Sequence, residues 1–151
     1  MYKGAGIALF KKGTDDYAIL VGKRTIRPFK HKWSIFGGKS ESYDKTSFET
    51  AKREFREESR FDFSTINANS HGECHFNLIF FKWTTFLYEV DDSFLPPNHF
   101  SYEFSELKFI LLHEINNYKL AFGVRKEIRI FLKNCKNKNK KHQPQLELAF
   151  M

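Results

Sequence analysis

Between Gly37 and Phe61 the chain reads GGKSESYDKTSFETAKREFREESRF, and Arg53, Glu54, Glu57 and Glu58 crowd its second half. On a helix turning about 100° per residue, Glu58 lies roughly 40° and Glu57 roughly 300° from Glu54, so three carboxylates share one arc. Phe48, Ala51 and Phe55 fall at roughly 60° to 120° on the same wheel, immediately beside them. The acids therefore border an apolar stripe, where like charges repel strongly unless a counter-ion is present. Hard divalent cations such as Mg²⁺ or Mn²⁺ take oxygen ligands of this kind, and phosphate oxygens can complete their shells. Arg53 is placed to orient a carboxylate through a charge-assisted bond. Gly37 and Gly38, just upstream, allow close backbone approach to a metal or phosphate. A solvated acidic helix paired with Lys52, Arg53 and Arg56 is the simpler alternative. The glycine pair favours the metal cradle.

The elements that must position these residues follow from periodicity. Gly4 to Phe10 and Tyr17 to Gly22 read as strands, with a Gly/Asp turn in KKGTDD. The stretch from Arg24 to Lys32, with Pro28, reads as a basic loop, and Trp33 to Phe36 as a short strand entering Gly37-Gly38. Helical spacing begins near Thr46 or Ser47, either of which suits an N-cap, and ends near Arg60. Asp62 to Glu73 reads as a loop, with room for a short strand. CHFNLIFFKWTTFLYEV, Cys74 to Val90, has the aromatic and β-branched content of a long strand or hairpin. A loop with Pro96-Pro97 follows, then a strand in ELKFILL and a short helix or turn after His113. Val124, Ile128 and Phe131 mark one face of a last helix. This order gives an α/β domain with helices against a mixed sheet.

The opening stretch resembles the Nudix box, G-x5-E-x7-R-E-U-x-E-E-x-G-U with U apolar. REFREE, Arg53 to Glu58, matches R-E-U-x-E-E without a gap. Gly38 and Asp44 match the first half, with Asp in place of Glu. Eight residues separate Asp44 from Arg53 where the pattern has seven; Arg60 stands at the later Gly, and Phe36 where a Pro often precedes the glycine pair. The flanking YAILVGKR, HKWSIFGGK and ELKFILLHEI also resemble the family. The resemblance implies a Nudix fold, a mixed β-sheet sandwiched between helices. It implies a Mg²⁺- or Mn²⁺-dependent pyrophosphohydrolase acting on a nucleoside diphosphate linked to another group. Glu54, Glu57 and Glu58 are then the metal ligands, with the Gly37 carbonyl as a further one, and Arg53 orients the carboxylates. Asp44 takes the position of the first Glu, with Glu41 as its possible substitute. Many members add one acid from the loop before the late strand. Glu103 and Glu106 compete for that place, as metal ligand or general base; Glu103, six residues before Phe109, has the Glu-to-Trp spacing of bacterial RNA pyrophosphohydrolases. Water attack at phosphorus would pass its proton to Glu54 or Glu103.

Substrate identity is less legible. Phe29, Trp33, Phe76, Trp83 and Phe86 could stack on a nucleobase or belong to the core. Lys23, Arg24, Arg27, Lys30 and Lys32 could grip phosphates. His31, His71, His75, His99 and His113 have no metal-ligand spacing and receive no role. A nucleoside triphosphate or related dinucleotide leads. An RNA 5′-pyrophosphohydrolase or decapping-type activity, or a Nudix module that binds nucleotide or RNA without hydrolysis, is the alternative.

Length and composition bound these expectations. A chain of 151 residues, 41% apolar and 28% charged, suits one domain with a real core. Of the net +7, five lysines lie in Lys133 to His142; the rest of the chain balances 20 basic against 18 acidic residues. We expect a Nudix domain over 1–133 and a basic C-terminal tail over 134–151, either a solvated, frayed end or a contact for RNA. No run approaches the roughly 20 apolar residues of a membrane helix. The N-terminus does not read as a signal peptide. Cys74 and Cys135, with no CxxC pair, suggest neither a disulfide framework nor a zinc site, and favour a cytoplasmic setting.

Overall fold

β1 (Tyr2–Lys12) is buried on both faces from Gly4 to Phe10, which is why GAGIALF is an almost uninterrupted apolar run. Its partners make it the spine of a mixed seven-stranded sheet. Along one edge it runs parallel to β6 (Phe81–Val90), from Tyr2 opposite Phe81 to Lys11 opposite Val90. Its other edge is divided. β2 (Tyr17–Arg24) pairs antiparallel with Phe10–Lys12, whereas β4 (Phe36–Lys39) pairs with Gly4–Ile7. β2 diverges to pair with β7 (Phe104–Leu111) and with β3 (Trp33–Ser34), and β5 (Ala68–Leu78) closes the far side against β6. The computed structural model describes residues 1–149, with side chains as far as 141.

A helix covers each face. On one side α1 (Ser47–Ser59) buries Ala51 and Phe55 against Ala5, Ile7, Leu9 and Phe36. On the other, α2 (Val124–Ala149) buries Val124, Ile128 and Phe131 against Ala8, Phe10 and Leu87. The rings of Phe131 and Phe10 stack at 3.8 Å. The α/β sandwich expected from the sequence is the architecture observed.

Two segments depart from expectation. β5 starts at Ala68, so half of the expected loop Asp62–Glu73 is strand. Its turn-like composition is accommodated by a bulge between Ser70 and Glu73, where Gly72 takes a φ of +91°. The lysine-rich segment, expected as a tail from residue 134, continues α2. Asn134 Nδ2 donates to the His71 carbonyl at 2.6 Å, and Lys138 Nζ to the Ser70 carbonyl at 2.6 Å, tying this extension to the bulge. Residues 150 and 151 of the expected tail lie outside the described residues. Among the described residues no helix is long and apolar enough to cross a membrane.

Candidate active site

The site begins with the cap of α1. Thr46 Oγ1 accepts the Glu49 N–H at 3.1 Å, and Glu49 returns a carboxylate oxygen to the Lys45 N–H at 2.9 Å. This reciprocal capping fixes where the helix starts and thus which face each acid occupies. Burial follows angular position around the helix. Glu58, beside the apolar stripe, is 1% exposed. The Glu54 side chain is 16% exposed and that of Glu57, farthest from the stripe, 56%.

β4 brings the glycines to these acids. The Gly37 N–H donates to Glu58 Oε1 at 2.7 Å, while Glu58 Oε2 is buried without a hydrogen-bond partner. A Cβ added at Gly38 would sit 2.6 Å from both carboxylate oxygens of Glu54, so only glycine admits that carboxylate. For Gly37 it is the amide hydrogen that engages the cluster.

Burial raises the pKa of Glu58 well above the ordinary glutamate value, the Gly37 hydrogen bond opposes this, and the charges of Glu103 and Glu54 add to it. Glu54 is raised too, first by burial and then by Glu57 and Glu103, against the pull of Arg53. The pair of oxygens without sufficient positive charge, one of them unpartnered, is the donor set a hard divalent cation requires. Glu54, Glu57 and Glu58 thus fit a metal.

Arg53 supplies the neighbouring positive charge. Its Nη1 reaches Glu54 Oε1 at 3.0 Å and Glu57 Oε1 at 3.3 Å, and its Nη2 donates to the Lys39 carbonyl at 2.9 Å. The rest of the guanidinium is taken by Asp44, through Nε at 3.1 Å and Nη2 at 2.9 Å. Asp44 is therefore bound to Arg53 and to the Thr50 hydroxyl, 2.9 Å away. Glu41 is exposed, and its backbone N–H, not its carboxylate, meets Asp44 at 2.9 Å.

The choice between the two late acids is geometric. Ser101 donates its N–H to the Glu58 carbonyl at 2.9 Å, and Thr25 donates to the Glu103 carbonyl at 2.8 Å. These bonds pin the loop before β7 between α1 and the end of β2, close enough for the Glu103 charge to act on both Glu54 and Glu58. Glu106 lies opposite Lys23 on the exposed side of β7 and pairs with Lys108 at 3.7 Å. Phe36, at the position where the box often has Pro, packs edge-on to Phe55 and Phe104 beneath the site.

Other candidates are dispersed. Trp33 is buried against Tyr118, and Lys108 sits over both rings. Trp83 is half-buried, its Nε1 donating to Thr85 Oγ1 at 2.8 Å. In the basic loop, Arg24 donates to the Pro28 carbonyl at 2.7 Å and its charge reaches Glu58. Two groups carried no signal in the sequence. Glu127 of α2 is a fully buried acid, and His71 meets Glu89 and Cys135 on the α2 side of the sheet.

Comparison with known proteins agrees with this architecture. The model of the NUDIX domain matches residues 2–133. No curated protein matches the sequence significantly. Among solved structures, the Ap4A hydrolase of C. elegans in a binary complex superposes with a TM-score of 0.70 at 15% identity, over 91% of this chain and 99% of that one. The bifunctional NMN adenylyltransferase/ADP ribose pyrophosphatase of Francisella tularensis, complexed with AMP and a Mn ion, gives 0.69 at 21% identity, over 89% of this chain and 42% of that one. The NUDIX domain of Shewanella oneidensis NrtR with ADP ribose gives 0.63 at 16%, over 90% and 86%. The chain belongs to the Nudix family, and the enzyme class expected from its box, a Nudix pyrophosphohydrolase, stands with that membership.

Proposed function

We propose that the chain hydrolyses a phosphoanhydride bond of a nucleotide, a nucleoside triphosphate or a related dinucleotide, using Mg²⁺ or Mn²⁺. Glu54, Glu57, Glu58 and Glu103 would hold the metal with the Gly37 carbonyl. The observation that carries this is Glu58 Oε2, a carboxylate oxygen buried without a partner beside the Glu54 carboxylate. When bound, the metal neutralises phosphate charge and lowers the pKa of the attacking water.

The protein groups do the rest. Arg53, held from behind by Asp44, keeps Glu54 and Glu57 turned toward the substrate. Glu54 or Glu103 takes the proton of the attacking water. The nucleotide ligands of the structural neighbours support the substrate class. Two free cysteines fit a cytoplasmic setting. The test is a screen for Mg²⁺-dependent release of phosphate or mononucleotide from nucleoside triphosphates, dinucleoside polyphosphates, nucleotide sugars and 5′-triphosphate RNA. Tight binding of one of these with no turnover would favour a non-hydrolytic module.

RNA is a second substrate class, favoured by the exposed Lys133, Lys136, Lys140 and Lys141 on α2. Changing Lys136, Lys140 and Lys141 to Gln should then reduce the slope of log affinity for single-stranded RNA against log salt by about 2. An unchanged slope disposes of this contact.

A further inference from the structure

We propose that His71, Glu89 and Cys135 form a second metal site, of the sulfur-containing class that takes Zn²⁺, on the α2 side of the sheet and separate from the carboxylate cluster of α1. One nitrogen of His71, one oxygen of Glu89 and the Cys135 sulfur all lie within 4.8 Å of one another. His71 Nε2 stands 3.6 Å from Glu89 Oε1, and Nδ1 stands 3.6 Å from Cys135 Sγ. The first separation is too long for an N–H···O hydrogen bond. It matches the edge of a tetrahedron around zinc, roughly 3.3–3.8 Å for bonds of about 2.0–2.3 Å. The Nδ1···Sγ contact is within the range of a sulfur hydrogen bond in the metal-free protein, and because a metal takes one ring nitrogen, it is the nitrogen lying within 4.8 Å of both other donors that would serve.

The surroundings hold these donors in place. The Asn134 and Lys138 side chains clamp the carbonyls of His71 and Ser70, and the bulge at Gly72 points His71 inward. The ring of His71 lies 4.9 Å from that of Phe131. The carboxylate and a thiolate together carry two negative charges, which neutralise a divalent ion. Binding releases the thiol proton to solvent. Glu89 is on β6, His71 on β5 and Cys135 on α2, so the ion would fasten the C-terminal extension of α2 to the edge of the sheet.

Cobalt titration of the chelator-treated full chain tests the site, because Co²⁺ bound to a thiolate gives a charge-transfer absorption that an all-carboxylate cluster cannot give. The wild type should show that absorption at one equivalent and lose it on adding Zn²⁺. Cys135→Ser should abolish it and weaken Zn²⁺ binding at least about tenfold, while keeping Mg²⁺-dependent hydrolysis, which shows that the variant folds. Cys74→Ser and Glu58→Gln should retain it. Zn²⁺ should raise the melting temperature of wild type and Glu58→Gln but not of Cys135→Ser. Absence of the absorption in the wild type, its survival in Cys135→Ser, or its loss in Cys74→Ser overturns the proposal.

Discussion

Asp44 and Arg53 face each other as a two-point ion pair, with Nε 3.1 Å from Oδ1 and Nη2 2.9 Å from Oδ2. The Asp44 carboxylate also accepts the Glu41 N–H at 2.9 Å, so the turn between Ser40 and Lys45 is built around it. The shorter acid and the extra residue before Arg53 thus belong together: the longer loop delivers a short side chain to the guanidinium. Hydrogen bonds from Arg53, opposed by burial, hold the Asp44 carboxyl well below the usual aspartate range. Because this pKa is depressed, the stability it contributes is present above about pH 4 and is lost as pH falls below that. Asp44→Asn should cost about 1.5–3 kcal/mol in urea unfolding at pH 7, and that cost should begin to shrink below about pH 4 while most of it survives at pH 3, the remainder being lost only as pH falls through the depressed folded-state pKa. Its kcat should drop about 10- to 100-fold, because Arg53 no longer orients Glu54 and Glu57.

Glu58→Gln should fold, since an amide oxygen can still accept the Gly37 N–H, but lose kcat by about 10²-fold or more. A folded variant with near-normal turnover would remove Glu58 from the ligand set.

Glu103→Gln should lower kcat by about 10²-fold or more, whereas Glu106→Gln should leave it unchanged. Steady-state kinetics on the two variants decides between them. The reverse pattern would mean that the loop before β7 presents the other acid.

The box helix was legible because a period of 3.6 placed three charges and an apolar stripe on adjoining faces, and α1 realises that arrangement. The spacing before β7 singled out Glu103 over Glu106 through the family resemblance alone, and the nearness of its charge to Glu54 and Glu58 depends on how the loop folds. The anchor role of Asp44 was not, because the turn from Ser40 to Lys45 has no periodicity and its geometry is fixed by Arg53. The strand at Ala68–Glu73 was hidden by turn-forming residues that a bulge tolerates. The lysine-rich segment looked unstructured, yet it continues a helix whose apolar face is already anchored at Val124, Ile128 and Phe131. His71 and Cys135 are separated by 64 positions, and their meeting depends on how α2 crosses the sheet.

Arg60 occupies the left-handed region, φ 66° and ψ 10°, and its N–H closes α1 on the Arg56 carbonyl at 2.9 Å. This is the position of the box glycine, and a β-carbon there costs roughly 1–2 kcal/mol. Part of that gain is offset by the greater freedom of glycine in the unfolded chain. Arg60→Gly should therefore stabilise the protein by about 0.5–1 kcal/mol with kcat unchanged. A lower urea midpoint would show that the Arg60 side chain contributes more than its backbone strain costs.

Glu127 sits inside the core that α2 makes with the sheet, 3% exposed, with Oε2 unpartnered. Its polar neighbour is Thr85, whose hydroxyl accepts from Trp83 Nε1. Burial pushes the Glu127 pKa up to about 8, with Thr85 opposing. The folded state therefore keeps a proton that the unfolded chain releases near pH 4.5, and stability falls as pH rises from there to about 8. Above that range the folded protein carries an uncompensated buried carboxylate. Nearby Cys74, pushed up to about 11, stays a neutral thiol throughout and does not confuse the titration. Glu127→Gln keeps the shape and removes the titrating group. The two proteins should have similar urea midpoints near pH 5, and by pH 9 the variant should be more stable by a few kcal/mol, about 1.4 kcal/mol for each tenfold rise in the proton affinity of Glu127 on folding. Taking the difference between the two at each pH cancels the other titrating groups. Parallel profiles from pH 5 to 9 would mean that Glu127 is ionised in the fold and that its second oxygen has a partner.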